Sequence, residues 1–338
     1  MANKVFSLHI DEYLTKIAHL NYRNNKIELL SLGFDATVNN YFTNPTEKSA
    51  ATQSQVISRL YNQLNIRENA VQIVLPDSLT YSQLMVMPNL KDDDLAKSIR
   101  LQVEELIPLP INDVNIDFEV VDKLPDDRLL LIFIAVQKKI ADHISHTLEL
   151  AKLEPLSLEN DLNVLGRFVT EVNPLVPEPS IICNLGFSSS SIYVINPKAA
   201  YFQYTKTVKI GFYNFIRDLK MNYNVDDKKT IQMLQNIGFS QNSSVNLVPV
   251  IDPLLEQISS EISRTISFMR DRYKINIKHI YLLNYDVYIA HIAERMQNRL
   301  SVVTNTLPVG QLFLPNPITQ SFRHSLSSFV PVLAGHFR

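Results

Sequence analysis

One short turn carries residue types that could hold a phosphate. In Asn184 to Ile195, NLGFSSSSIYVI, an apolar strand runs into a glycine and four serines and then into a second apolar strand. Backbone N–H groups and hydroxyls in such a turn can point at a nucleotide phosphate, although the same composition also closes ordinary hairpins. The candidate cofactor-binding residues of this turn are Gly186, Ser188, Ser189 and Ser190.

The other reactive side chains do not form a recognisable catalytic pattern. The single cysteine, Cys183, lies in the apolar stretch SIICNLG, which favours a small buried hydrophobe in a reducing compartment over a nucleophile. His143 and His146 have a spacing that can hold a metal on a helix, but no third ligand is in view. Neither G-x-S-x-G nor H-E-x-x-H occurs, so we expect no catalytic residues and no metal site.

Composition excludes several classes of function. The 338 residues contain 32 Lys and Arg against 34 Asp and Glu, a net charge of -2, which argues against nucleic-acid binding. The longest apolar run, LLLIFIAV at 129–136, is far shorter than the roughly 20 residues that cross a bilayer. The N-terminus lacks a secretory signal, so we expect a cytoplasmic protein without a membrane span. Only 7 glycines are present, about a third of the usual fraction.

The first half of the chain predicts a β-β-β-α-β unit with further elements after it. Strands KVFSLHI, TKIAHLNYR and KIELLSLGF, a helix through SQVISRLYNQL and the apolar strand VQIVLP follow one another. Next come a strand, YSQLMVMP, and a helix in which Asp92–Asp94 are expected to supply the cap and negative charge at the N-terminus and Pro108 and Pro110 to end the helix. The strands NIDFEVV and RLLLIFIAVQ and the helix KKIADHISHTLELAKL complete this half.

The same plan repeats after a proline-rich segment near 174–179, which marks a domain boundary. The starts Ser7–Asp11 and Ile182–Gly186 align by pattern with little identity. Two such units facing each other across a cleft give the actin-like ATPase (ribonuclease H-like) fold of the mixed α/β class. The expected divisions are a first lobe at 1–175 with an inserted subdomain at about 81–137, a second lobe at 178–312, and a tail at 313–338 that returns to the first lobe.

A long stretch of the insert resembles one branch of this fold. The segment MVMPNLKDDDLAKSIRLQVEELIPLPINDVNIDFEVV is similar to the strand, MP-x-L turn, helix and following strand of the PilM family of type IV pilus assembly proteins, which is close in plan to FtsA. AVQKKIADHISHTLELAKLEPLSLEND and IKHIYLLNYDVYIAHIAERM extend the likeness in order over nearly the whole chain. The resemblance implies an FtsA-like inserted subdomain.

The resemblance also implies partners. Family members lie under the inner membrane, bind the cytoplasmic N-terminal tail of the bitopic protein PilN, and link it to the pilus assembly ATPases, and self-association is a further option. The groove for the tail is implied at the junction of the inserted subdomain with the first lobe, where an apolar groove with a few polar groups would recognise a peptide. Ile99, Val103 and Leu106 are the candidates to line it, unless they form the core face of their helix.

The first phosphate loop of the family, D-x-G-x-x-x-x-K, matches His9 to Lys16 here, and only Lys16 is kept. His9 replaces the carboxylate that organises Mg²⁺, and Asp11 replaces the glycine that lets a phosphate approach. A carboxylate about 4 Å from one phosphate charge would cost on the order of 4 kcal/mol at an effective dielectric near 20, roughly a thousandfold in affinity. The alternative is that Asp11 and Glu12 hold the metal in a shifted loop.

The remaining loops of the family's nucleotide site are also altered. Asn184 stands where the second phosphate loop has an Asp, and Leu283 to Asp286 replaces the S-G-G-G of the adenosine loop, so Tyr285 either fills the space or stacks on a base. These changes predict a scaffold that does not hydrolyse ATP and holds ATP with Mg²⁺ weakly or not at all. The alternatives are an active actin-like ATPase coupled to polymerisation and a type II secretion or competence component, which would normally continue into a transmembrane segment.

Overall fold

The chain folds into two units. The computed structural model describes residues 5–124, 126–171, 176–197, 202–241, 243 and 245–337. One unit comprises Met1–Thr170 with Pro331–Arg338, and the other comprises Glu171–Val330. The segment 313–330, which the sequence assigns to the returning tail, belongs to the second unit by this division.

The first unit is built on a five-stranded sheet of order β3-β2-β1-β4-β8. The three opening strands of the predicted meander are confirmed, and α1 and α3 pack against each other over the sheet's apolar core. The elements of this unit are β1 (Val5–Ile10), β2 (Leu14–Arg23), β3 (Lys26–Ala36), α1 (Glu47–Gln63), β4 (Ala70–Leu75), β5 (Thr80–Pro88), α2 (Asp92–Leu106), β6 (Val114–Leu124), β7 (Arg128–Gln137), α3 (Lys138–Leu150), β8 (Glu154–Asn160) and α4 (Asp161–Glu171).

The segment from β5 to β7, which lies between β4 and α3 in the chain, has a sheet and a core of its own. Its three strands have the order β5-β7-β6, and both pairings with β7 are antiparallel. The apolar run LLLIFIAV lies in the central strand β7, which explains why it contains no charged residue. Helix α2 packs Leu95, Ile99 and Val103 against this sheet.

The two ends of α2 differ in how well the sequence predicts them. The helix begins at Asp92 after Lys91, whose side chain makes no capping hydrogen bond, so the prediction that an aspartate caps the helix is wrong. Asp93 and Asp94 lie in the first turn, where the expected negative charge is favourable to the helix dipole. The predicted stop is confirmed: Ile107 is extended, with φ -97° and ψ 136°, because a residue before proline disfavours the helical region.

The second unit repeats the plan of the first. Its sheet has the order β11-β10-β9-β12-β13, so β9 takes the central place that β1 has in the first unit, antiparallel to one neighbour and parallel to the other. The elements are β9 (Ser180–Leu185), β10 (Ser190–Ile195), β11 (Tyr204–Val208), α5 (Phe212–Tyr223), α6 (Asp227–Asn236), α7 (Val248–Tyr273), β12 (His279–Asn284), α8 (Ile292–Leu300), β13 (Val303–Thr306) and α9 (Pro317–Ser321).

The C-terminal residues fold against the first unit. After helix α10 (Val330–Ala334), the ring of Phe337 packs edge-on against Tyr22 and Phe168, with ring centroids 5.1 and 5.5 Å away. The Arg167 Nε donates to the carbonyl oxygen of Phe337 at 2.9 Å, which ties the chain end to α4. Of the helices that the structure describes, none is long and apolar enough to cross a membrane.

Candidate functional site

The turn between β1 and β2 is closed by its own carboxylate. The Asp11 Oδ1 accepts hydrogen bonds from the backbone N–H groups of Tyr13 and Leu14, at 2.7 and 2.6 Å. Asp11 is fully buried. In a phosphate loop such N–H groups point at the bound phosphate. Here a side chain of the loop provides the negative charge that they contact.

Lys16, the residue that matches the family's phosphate-binding lysine, is also buried. It lies on β2 opposite His9, and only 1% of its side chain is exposed. Its Nζ is 4.0 Å from the Asp11 Oδ2, so the chain itself supplies a counter-charge. Burial lowers the pKa of Lys16, and the charge of Asp11 works in the opposite direction. Asp11 and Lys16 therefore form a buried ion pair within one hairpin.

His9 faces a carboxylate that the sequence did not point to. The His9 Nε2 lies 3.2 Å from the Oδ1 of Asp161, the first residue of α4, without hydrogen-bond geometry, and both side chains are buried. Burial, and then the charge of Lys16, lower the pKa of His9 to about 3, so the ring is neutral near pH 7. The two residues are more than 150 positions apart, and only the parallel pairing of β4 with both β1 and β8 brings the start of α4 beside His9.

Glu12 and Asp11 have different hydrogen-bond partners in this turn. The Ser78 Oγ donates to the Glu12 Oε1 at 2.8 Å, whereas Asp11 directs one oxygen to the turn's own N–H groups. Across the described ranges, no group of three or more His, Cys, Asp or Glu side chains is arranged to hold a metal ion. His143 and His146 bond separately to α1, His143 to Ser49 and His146 to Glu47.

The turn between β9 and β10 is tied to the start of α5. The carbonyl oxygens of Gly186 and Phe187 accept from the N–H groups of Phe212 and Tyr213, at 2.9 and 2.8 Å. These are the first residues of α5, so two N–H groups that could hold an anion are already bonded. A Cβ on Gly211 would lie 2.3 Å from the Phe187 oxygen, and this close approach requires glycine.

The three candidate serines of this turn differ in how much of each side chain is exposed to solvent. Ser188 is exposed, Ser189 is 9% exposed, and Ser190 is fully buried. The Ser190 Oγ donates to the carbonyl oxygen of Ile210 at 2.6 Å. The structure thus places these residues in one turn but does not bring their hydroxyls together around one point.

Tyr285 lies inside the second unit's aromatic core. Its ring is fully buried and stacks on Phe212, with centroids 5.0 Å apart and planes inclined by 14°, and Phe187 lies 6.0 Å away. Asn284 precedes it with φ 78° and ψ -108°, and its Nδ2 donates to the Asn184 Oδ1 at 3.1 Å. Of the two alternatives for Tyr285, filling space agrees with this burial.

Two further groups beside this turn are held away from water. Asp286 is buried, the Thr306 Oγ1 donates to its Oδ2 at 2.7 Å, and burial raises the pKa of Asp286 to about 7. Burial, followed by the charge of Asp286, raises the pKa of Cys183 to about 12, so its thiol is not a nucleophile. The second unit therefore holds a carboxyl group that is partly protonated near pH 7.

The three candidate partner-binding residues on α2 separate into two groups. Ile99 and Val103 are 1% and 0% exposed and pack with Met87 and Phe133 in the core of the β5 to β7 segment. Their side chains therefore belong to the core, which agrees with the alternative that they form the core face of α2 and not with their lining a groove. Leu106, at the end of the same helix, is 47% exposed.

A polar cluster lies where the β5 to β7 segment meets the rest of the first unit. Arg167 on α4 forms ion pairs with Glu159 on β8 and with Glu119 on β6, the latter at 3.7 Å. The Asn160 Nδ2 donates to the Ser82 Oγ at 3.0 Å. Sequence reasoning missed this cluster, because its members come from three separate segments of the chain.

One family of known proteins matches most of this chain in sequence. A sequence model of the family described as type IV pilus assembly protein PilM matches residues 8–322. The chain belongs to the PilM family. The match spans both units, including the two turns and the β5 to β7 segment described above. A search of curated proteins finds no match.

Solved structures agree with this family in fold. The PilM-PilN type IV pilus biogenesis complex matches with a TM-score of 0.80 at 17% identity, covering 99% of this chain and 98% of that chain. The ethanolamine utilization protein EutJ from Carboxydothermus hydrogenoformans matches with a TM-score of 0.53 at 11% identity over 98% and 89%. MreB 5 of Spiroplasma citri bound to AMPPNP matches with a TM-score of 0.50 at 11% identity over 98% and 94%. This PilM-family chain therefore has the actin-like fold.

Proposed function

We propose that this PilM-family chain is a cytoplasmic scaffold of type IV pilus biogenesis. It binds the cytoplasmic N-terminal tail of a PilN-like bitopic inner-membrane protein, stays at the membrane through that partner, and links it to the pilus assembly ATPases. The observation that carries this proposal is the family match over residues 8–322. The structure of the PilM-PilN complex supports the choice of partner.

The charge of the inserted subdomain (residues 80–137, β5 to β7) supports a membrane-proximal partner. This subdomain contains eleven acidic and five basic residues, a net charge of -6, although the whole chain carries only -2. Cytoplasmic segments next to a membrane span are enriched in Lys and Arg. A negative surface on the subdomain would attract such a tail and speed its binding.

Leu106 is the residue of the predicted groove that can contact this tail directly. It is the last residue of α2, is nearly half exposed, and follows Glu104 and Glu105, so an apolar contact lies beside negative charge. The polar cluster around Arg167 would fix the tail's backbone at the junction of the subdomain with the first unit. Ile99 and Val103 contribute by holding α2 in place.

Fluorescence anisotropy with a labelled N-terminal peptide of the PilN-like partner tests this proposal. We expect Leu106→Asp to weaken binding at least tenfold, because burying a leucine side chain contributes about 1.5–3 kcal/mol. Leu314→Asp is the matched control, since Leu314 is 44% exposed in the second unit. Equal affinity of the two variants would remove Leu106 from the site, and no binding by the unmodified chain would remove the proposed partner.

We further propose that this scaffold does not turn over ATP. Asp11 and Lys16 are buried and form an ion pair, and Asp11 also accepts hydrogen bonds from backbone N–H groups of the first turn. The second turn is hydrogen-bonded to the start of α5. Lys16, Gly186, Ser188, Ser189 and Ser190 would at most contribute to weak binding of ATP with Mg²⁺.

The competing function is an actin-like ATPase that couples nucleotide to polymerisation. The similarity in fold to MreB bound to AMPPNP supports nucleotide binding as such. Light scattering with and without ATP and Mg²⁺ separates the two: growth of filaments that requires ATP favours the ATPase, and scattering that does not respond to ATP favours the scaffold.

A further inference from the structure

A small cavity lies in the second unit, and the residues that line it do not include those of the turn between β9 and β10. Its volume is about 210 Å³, and it lies between the segment that follows β13 and the segment that follows α9. Thr306, Gly310, Arg323, His324 and Ser327 are among the residues that line it. A Cβ placed on Gly310 would meet no atom within 4 Å, so the backbone is open to solvent at this side. The volume suits an ion or a small polar group rather than a drug-sized molecule.

No Asp or Glu is among the described residues that line this cavity. Arg323 and His324 are exposed, and the Arg323 Nε donates to the His324 Nε2 at 2.7 Å, which fixes the guanidinium beside the imidazole. Within the described ranges, Arg323 forms no ion pair with a carboxylate. The 44 residues from 295 to 338 include no Asp or Glu, so this part of the chain offers it no counter-ion nearby in sequence.

A buried hydroxyl of the same cavity also lacks a hydrogen-bond partner. Ser327 is 4% exposed, and its Oγ makes no hydrogen bond to any residue that the structure describes. Buried polar side chains are nearly always bonded, so this oxygen indicates a missing partner. Thr306 also lines the cavity, but its hydroxyl proton is already used, because the Thr306 Oγ1 donates to Asp286. Asp286 is not among the residues that line the cavity.

We propose that this cavity binds a phosphate oxyanion, either inorganic phosphate or the phosphate group of a monoester. The Arg323 guanidinium supplies the positive charge and two N–H donors in the planar geometry that matches phosphate oxygens. The Ser327 hydroxyl donates a further hydrogen bond from the buried side of the cavity. The site lies in the C-terminal part of the second unit, its lining includes no residue of the turn at Gly186, and it does not depend on the proposed partner.

Isothermal titration of the full chain with inorganic phosphate, at constant ionic strength maintained with chloride, tests this site. We expect saturable binding that Arg323→Gln weakens at least tenfold and that Ser327→Ala weakens about threefold to tenfold. Arg264→Gln is the matched control and should bind as the unmodified chain does, because Arg264 is 76% exposed in the same unit and pairs with Glu261. Thermal melting of each variant shows that the fold is intact.

Competition experiments identify the source of the phosphate group. Displacement of inorganic phosphate by AMP but not by adenosine supports a monoester, and displacement by neither supports inorganic phosphate as the ligand. Binding of adenosine as tight as that of AMP would contradict the proposal, because the phosphate would then add nothing. Non-saturable heats, or unchanged affinity in Arg323→Gln, would also overturn it.

Discussion

The turns that follow β1 and β9 occupy the same place in two sheets of identical strand order, yet they are closed by different interactions. The first turn uses charge: Asp11 and Lys16 form a buried ion pair, and the neutral ring of His9 lies beside the buried Asp161. The second uses neutral hydrogen bonds from backbone and side chains to carbonyl oxygens. The two sheets therefore share one topology, and their turns differ in the interactions that close them.

Removing the charge that closes the first turn should have the largest effect. Asp11→Ala removes the larger of the two opposing charges that act on the buried Lys16, the other being that of Asp161, and it removes the acceptor of two backbone N–H groups. We expect the free energy of unfolding to fall by about 3–5 kcal/mol in urea denaturation. Asp35→Ala is the control, because Asp35 pairs with Arg59 at the surface and should cost about 1 kcal/mol or less. Similar losses in both variants would contradict the buried ion pair.

Crowding the second turn should come next. Gly211→Ala places a methyl group 2.3 Å from the Phe187 oxygen and should lower the free energy of unfolding by about 1–3 kcal/mol. Gly310→Ala is the matched control, since its Cβ meets no atom within 4 Å. Thermal melts of the two variants compare the sites directly. A stable Gly211→Ala variant would show that the turn is free to move away from α5.

The two units should respond to acid in opposite directions. The pKa of His9 is lowered to about 3, so between pH 6.5 and 3 the unfolded state binds a proton that the folded state does not, and stability falls as pH falls. The pKa of Asp286 is raised to about 7, so the folded state holds the extra proton between pH 4 and 7, and stability falls as pH rises. Each group contributes about 1.4 kcal/mol per pH unit within its window.

Hydrogen exchange corrected for intrinsic rate measures this contrast between pH 7 and 5. We expect β1 to lose protection and β12 to gain it as the pH falls. His9→Asn copies Asn184, the residue at the equivalent position of the second unit, and should reduce the loss of protection that β1 shows as the pH falls. The contribution of His336, whose pKa burial lowers to about 4, should remain. Parallel changes in both strands would contradict the assignment.

The smallest effect should come from a single hydroxyl. Ser190→Ala removes the hydrogen bond to the Ile210 carbonyl inside the second unit and should cost about 1–2 kcal/mol. Ser188→Ala changes an exposed serine of the same turn and should leave the free energy of unfolding unchanged. Urea denaturation of both variants measures this difference. Equal free energies of unfolding would indicate that the hydrogen bond of Ser190 contributes nothing to stability.

Local pattern was sufficient to predict most of the fold. The apolar runs separated by polar turns gave the strands of both sheets, and Pro108 gave the end of α2, because these signals act within a few residues. The start of α2 was wrong by one position, since three consecutive aspartates offer several equally good caps. Helical spacing also could not say which apolar residues of α2 face its sheet and which, like Leu106, face solvent.

The chemistry of the turns was only partly predictable. Loss of the family's glycine and carboxylate in the first loop is visible in the sequence, and so is the bulk of Tyr285. The pairing of His9 with Asp161 and the burial of Asp286 depend on distant segments that meet only in the folded sheet. Sequence reasoning therefore identified which groups were missing from a nucleotide site and not which groups had taken their place.

Phosphate release from ATP in the presence of Mg²⁺ tests the central claim most directly. The purified chain, alone and with the PilN-like peptide, should release phosphate no faster than buffer, and Lys16→Met should give the same trace. Sustained release by the unmodified chain that Lys16→Met abolishes would contradict the account, because Lys16 would then serve a bound nucleotide rather than Asp11.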